Sequence, residues 1–151
     1  MADERELLKL ALRVVDLNPL GVMTTVDERG YPHARWMTAI TNDNLRTLLT
    51  LTAAGTRKVE HLRRCDKVCW LFQEEGQSDV VLLKGRATVE PSAVAAHESW
   101  DRMAQVARQY AAGPLSDDAH LELLAILTHV ETIEVLSPRL GLFAHREVAT
   151  Q

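Results

Sequence analysis

The stretch "LGVMTTVDERGYPHARWMTAI", residues 20–40, decides how the chain folds. Two runs rich in apolar and β-branched residues flank an acidic turn that ends in Gly30, which is the pattern of a β-hairpin. A further apolar run, "LRTLLTLT" at 45–52, follows closely. Three strands joined by short turns predict an antiparallel meander rather than the strand, helix, strand order of a doubly wound parallel sheet.

Before the hairpin, residues 3–16 place Leu7, Leu10, Ala11, Val14 and Val15 at helical spacing, with Asp3 available as N-cap and "NP" closing the segment. After it, a helix is expected to begin near Thr56. "KVCWLFQ" (67–73) and "DVVLLKGRATVE" (79–90), separated by the polar turn "EEGQS", read as a second hairpin. "PSAVAAHESWDRMAQVARQYAAG" (91–113) opens on Pro91 and Ser92 and ends at Gly113, and "SDDAHLELLAILTHV" (116–130) has Ser116 or Asp117 as a cap, so two helices are expected here. "VETIEVLSPRLGLFAHRE" (130–147) alternates, breaks at "SPR" and closes with a short apolar strand. No repeat, low-complexity run or linker divides the chain, so residues 1–151 are expected to form one α+β domain. Its roughly six or seven strands, mostly antiparallel, would hide their edges by closing into a small barrel flanked by helices.

Composition narrows the function classes. The 151 residues are 46% hydrophobic and 25% charged, ordinary for a globular protein, and no apolar run approaches the roughly 20 residues that span a bilayer. The N-terminus is acidic and its apolar residues are interrupted by Lys9, Arg13 and Asp16, unlike a secretory signal; the expected location is the cytoplasm, without membrane attachment. Cys65 and Cys69 are the only cysteines, too few for a disulfide framework, and read as free, mostly buried thiols. A net charge of -4 argues against a nucleic-acid partner, so any cationic site must be local.

Such a site is suggested by "TAAGTRKVEHL", residues 52–62. A helix N-terminus already carries about half a positive charge, yet Arg57 and Lys58 stand in its first turn. Ala53, Ala54 and Gly55 let the backbone approach a bulky group, Thr56 offers a hydroxyl, and the helix end offers oriented N–H donors; together these suit a phosphate. The alternative is that both cations reach into solvent at a cost of at most about 1 kcal/mol. In "GYPHARWMTAI" (30–40), alternation puts His33, Arg35, Met37 and Ala39 on one face and Pro32, Ala34, Trp36 and Thr38 on the other. Arg35 then lies among apolar neighbours with no acid close by on its strand. It needs an anion, unless the strand is an exposed edge.

The order "GYPHARWMTA" (30–39), "LLTLTAAGTRKVEHLRR" (48–64), "KVCWLF" (67–72) and "LLKGRATV" (82–89) resembles the pyridoxamine 5′-phosphate oxidase-related split barrels of the short general-stress-protein type, over roughly residues 15–90. The resemblance implies a split β-barrel that binds FMN between the subunits of a homodimer. It implies that Arg35, Thr56 and Lys58, with Arg57, hold the FMN phosphate and ribityl chain, and that the backbone around Trp36, Met37 and Thr38, with Thr52, borders the isoalloxazine ring. It further implies oxidoreductase chemistry on an unidentified small molecule. The alternatives are a non-catalytic module that binds FMN or a related phosphate ligand in stress response, and a deazaflavin- or haem-binding barrel. The basic and aromatic C-terminal segment of the oxidase proper has only faint echoes in Arg139 and Arg146, so true pyridoxamine 5′-phosphate oxidase activity is not expected.

Other constellations rank lower. His61 and Cys65 share a helix face, but Cys69 falls in a strand and no fourth ligand is apparent, so no metal site is expected. No nucleophile signature supports a catalytic triad on Cys65 or Ser99, and no residue is assigned as a protein acid or base. Trp70 and Phe72 read as core; Trp100 and Tyr110 fall on the long helix, where one of them could stack on a flavin or meet a partner subunit. Lys84 and Arg86 share a strand face that either lines the cationic cleft or faces water.

Overall fold

The computed structural model of the chain describes residues 3–41, 44–76, 79–91, 101–103, 105–106 and 123–147. It opens with helix α1 (Glu4–Leu17). Asp3 caps it by accepting the Glu6 N–H at 2.8 Å, and Glu4 and Glu6 complement the positive end. The helix ends where the backbone N–H of Asn18 (3.0 Å) and its side-chain amide (2.9 Å) both donate to the Val14 carbonyl. Pro19 follows and has no N–H with which to continue the helix.

Strands β1 (Leu20–Val26) and β2 (Pro32–Thr38) form the expected hairpin, in register from Leu20 opposite Thr38 to Val26 opposite Pro32. Its turn is shaped by Asp27, whose Oδ1 accepts the N–H groups of Arg29 (2.8 Å) and Tyr31 (2.9 Å), and by Gly30 at φ +84°. Strand β3 (Thr47–Ala53), helix α2 (Arg57–Arg64) and strands β4 (Lys67–Gln73), β5 (Val80–Pro91) and β6 (Leu123–Ser137) follow. A turn of 3₁₀ helix at Pro138–Leu140 leads into β7 (Leu142–Glu147).

All the ladders are antiparallel, in the order β2-β1-β4-β5-β6-β3, with β7 also on β6. Fifteen residues long, β6 lies along β5 and shares its other edge between β3 and β7. The two end strands, β2 and β3, meet through a single bridge in which Ile40 and Leu49 exchange N–H···O bonds of 3.0 and 2.8 Å. The Thr50 hydroxyl adds one bond to the Thr38 carbonyl. The sheet therefore curls and is pinned at one point of its seam, an α+β split barrel.

The segment expected as a helix over 116–130 is strand from Leu123 onward. Its Leu and Ala residues favour helix locally, but the backbone polar groups here are taken by β5 on one side and β3 on the other, and the inward positions Ile126, Thr128 and Val130 are buried. Pairing along both edges outweighs propensity; residues 116–122 lie outside the described residues. Of the helix expected over 91–113, Pro91 ends β5, and residues 101–103 and 105–106 are helical. Trp100 and Tyr110 lie outside the described residues.

Alternation fills the barrel. Met23, Leu48, Val68, Trp70, Phe72, Val81, Leu83, Ile126, Ile133 and Val135 form one buried cluster, closed by Ala11, Val14 and Val15 of α1 and Leu62 of α2. Trp70 stacks on Phe72 with centroids 5.5 Å apart and donates its indole N–H to Thr128 Oγ1 at 3.1 Å, so its one polar atom is satisfied inside the core. Among the described residues no helix is long and apolar enough to cross a membrane.

Candidate functional site

Beyond the Ile40–Leu49 bridge the seam stays open, and the residues singled out from sequence gather there. In β2 the hydrogen-bond alternation is fixed by Asp27 N–H to the Tyr31 carbonyl and Ala39 N–H to the Pro19 carbonyl, both 3.0 Å or shorter. Odd-numbered residues thus turn their backbone groups to β1 and even-numbered ones to the seam. Ile40 and Thr38 use theirs on β3, whereas Trp36 presents its N–H and carbonyl where β3 no longer pairs. The Trp36 side chain points away from the barrel and is 69% exposed. Met37 faces inward and packs against the core, and Thr38 reaches the Met103 sulfur at 3.8 Å.

Helix α2 points its N-terminus at this opening. Gly55, at φ +78°, supplies the left-handed turn between β3 and α2. Thr56 occupies the N-cap with extended backbone but makes no side-chain capping bond; its Oγ1 lies 3.5 Å from that of Thr52. Lys58 folds back and donates from Nζ to Thr52 Oγ1 at 2.9 Å, tying the first turn of α2 to the end of β3. From β2, Arg35 extends underneath, its Nη1 donating to Thr25 Oγ1 (2.8 Å) and to the Met23 carbonyl (3.3 Å). Thr52, Thr56, Arg57, Lys58 and Arg35 are therefore brought together from three elements.

Their electrostatics are unusual. Burial pushes the Arg35 pKa down, and the charge of Arg57 pushes it the same way; burial likewise lowers that of Lys58, with Arg35 adding to the effect. Among the described residues, none of the three is paired with a carboxylate. Several other cations are matched: Arg86 binds Asp66 and Glu131, Lys84 binds Glu134, Arg64 binds Glu28 and Arg139 binds Asp79. Lys84 and Arg86 accordingly stand on the exposed face with acids and not in the seam. Arg35 and Lys58 are half-buried, Arg57 stands exposed beside them, and a cluster of cations without a counter-ion among the described residues suits an anion of more than one charge.

Behind the cations lies a polar network that the sequence reading missed. Buried His61 places Nδ1 2.8 Å from Thr25 Oγ1, its ring is 4.9 Å from that of His33, and His33 Nε2 is 2.8 Å from Asp27 Oδ2. In the sequence His61 stands out only by its spacing to Cys65 and Cys69. A usable signal existed, since His61 follows Arg57 by four residues and so stands one helical turn behind it. Among the described residues no group of three His, Cys, Asp or Glu side chains is placed to hold a metal ion; both cysteines are free and of intermediate burial.

Two acid-side consequences follow. Burial pushes the His61 pKa below its ordinary 6.5, with His33, Arg35 and Arg57 acting in the same direction and Asp27 opposing. The unfolded chain takes up this proton first, so stability from neutral His61 is complete above pH 6.5 and declines below it. The hydrogen bond from His33 leads the effects that lower the Asp27 pKa to about 2 from 3.8; its stabilisation is present above 3.8 and lost as pH falls toward 2. Melting temperatures measured from pH 8 to pH 2 are expected to fall in both windows. H61N should flatten the upper window and D27N the lower, and unchanged profiles in both variants would contradict the assignment.

Comparisons with known proteins agree with the architecture. The family model described as pyridoxamine 5′-phosphate oxidase matches residues 8–134. A protein related to general stress protein 26, of the pyridoxinephosphate oxidase family, from Clostridium acetobutylicum superposes with a TM-score of 0.72 at 19% identity, covering 97% of each chain. General stress protein 26 from Bacillus anthracis gives 0.70 at 16% identity, covering 94% of this chain and 98% of that one. A structure named F420 reductase gives 0.62 at 15% identity, covering 83% and 94%. No curated protein matches the sequence.

Proposed function

We propose that this chain, which belongs to the pyridoxamine 5′-phosphate oxidase family, binds FMN in the open seam and uses it for oxidoreduction of a small molecule. The observation that carries the reading is the convergence of Arg35, Arg57 and Lys58 without a carboxylate partner among the described residues. A phosphate dianion satisfies what the site lacks: counter-charge for the cations and acceptors for the uncapped first turn of α2. Arg35, Thr56, Arg57 and Lys58 would hold the phosphate end. The seam-facing backbone groups of Trp36 and the Thr52 side would border the ring. Bound FMN supplies hydride or electron transfer, and the protein's part is to bind, orient and shield it.

A second copy of the chain completes the site in this proposal. Across the outward face of the sheet, Trp36, Val22, Leu71 and Leu82 stand in consecutive cross-strand register on β2, β1, β4 and β5. None of them is fully buried. A partly exposed apolar stripe of this kind suits cover by a partner, and its edge at Trp36, 69% exposed, adjoins the seam. Light scattering is expected to give a dimer for the native protein and a monomer for L82E; a native monomer at micromolar concentration would overturn the arrangement.

The deazaflavin reading draws on the same pocket and on the fold shared with F420 reductase, and a non-catalytic FMN-binding role uses the same contacts. An absorption spectrum of the purified protein, followed by heat release and identification of the chromophore, tests these readings together. FMN bands that bleach on reduction by a nicotinamide donor support the proposal. A released deazaflavin or haem would replace FMN, and a flavin that no donor or acceptor changes would favour the binding role.

A further inference from the structure

We infer that Thr25 and His61 form a positioning pair for Arg35, setting the direction in which its guanidinium meets the anion; the inference rests on the phosphate reading above. Thr25 is fully buried, and its hydroxyl oxygen stands between two nitrogens, Arg35 Nη1 and His61 Nδ1, each at 2.8 Å. A guanidinium can only donate, so the Thr25 oxygen accepts from Arg35. Its bond to His61 Nδ1 forms in either tautomer: the hydroxyl donates when the ring proton sits on Nε2, and its second lone pair accepts when the proton sits on Nδ1. Either way the Thr25 oxygen ties Arg35 to His61.

Its effect on Arg35 is specific. Both bonds of the guanidinium to the protein, to Thr25 and to the Met23 carbonyl, are made by Nη1. Among the described residues the other guanidinium donors are uncommitted, so the group is anchored at one corner with the rest of its fork free for a ligand. His61 is fixed in turn by burial in α2 against β1 and β2, under the His33 ring that Asp27 holds. Arginine has many rotamers, and a side chain held before the ligand arrives loses less freedom on binding.

A merely structural network would stabilise the fold without acting through Arg35. A double-mutant cycle separates the two, with FMN titrated into flavin-free T25V, R35A and the T25V/R35A double variant. T25V is expected to raise Kd about three- to tenfold, T25S to restore it to near native, and T25V to change nothing once Arg35 is alanine. Should T25V fail to fold, H61L and H61N replace it: H61N keeps an acceptor near the Nδ1 position and should bind as the native protein does, whereas H61L should behave like T25V. If R35A weakens binding while T25V and H61L do not, or if their effects persist undiminished without Arg35, the positioning role is overturned and the phosphate reading stands. If R35A leaves Kd unchanged, the phosphate reading fails and the positioning role falls with it.

Discussion

R35A is expected to weaken FMN binding by more than tenfold, and K58A by a similar factor, while the ligand-free fold survives both changes. Each substitution removes a charge-assisted contact to phosphate worth about 1.5 to 3 kcal/mol, which corresponds to roughly 10- to 150-fold in Kd. The loss should appear only with ligand. In the free protein burial lowers the pKa of Arg35 and of Lys58, with Arg57 adding to the first and Arg35 to the second, so deleting either cation relieves desolvation and repulsion even as it gives up a bond to Thr25 or Thr52. The two effects oppose, and the melting temperature of flavin-free R35A or K58A should stay within about 2 °C of native. Calorimetric titration and a thermal scan of the same samples check both halves. A variant that melts far below native and still binds FMN normally would assign these residues to the scaffold.

The second large effect concerns the scaffold itself. G85A is expected to destabilise the protein by roughly 3 kcal/mol or more, enough to leave little folded protein if the native margin is ordinary. A Cβ on Gly85 would lie 2.0 Å from the His129 carbonyl oxygen and 2.9 Å from its carbon, and that neighbour is backbone in the central β5–β6 ladder. The register shifts here, between Lys84 and Gly85, and the close approach lets the long β5–β6 ladder bend. A methyl group would have to push the strands apart. Urea unfolding of G85A checks this, with native-like stability contradicting it. At Gly30 an added Cβ meets nothing within 4 Å, so G30A should cost about 1 kcal/mol through its positive φ alone.

How much of this was legible in the sequence differs by element, for physical reasons. The β1–β2 hairpin, α1 and the β4–β5 hairpin carry their own local signals: a turn with a left-handed glycine, a capping aspartate, an alternation of inward and outward side chains. The first half of β6 carried a misleading one. "LLAIL" (123–127) is written mostly in good helix formers, and only the neighbouring strands, remote in sequence, make it extended. The cation cluster was legible because charge at a helix start is locally anomalous. That Arg35 joins it depends on the curl that brings β2 against β3, visible in sequence only through the family resemblance. Thr25 and His61 were not legible as a pair: a threonine in a strand and a histidine in a helix are commonplace until the fold sets them 2.8 Å apart.

The central claim is that the seam recognises the phosphate of a flavin, and titrating the flavin-free native protein with FMN and with riboflavin, side by side, tests it most directly. The two ligands share the ring and ribityl chain and differ only in the phosphate that Arg35, Arg57 and Lys58 are proposed to hold. If the cations act as described, FMN binds at least about 100-fold more tightly than riboflavin, a difference of roughly 2.7 kcal/mol. That preference should shrink in R35A and K58A. Equal affinity for the two flavins would contradict the account at its centre.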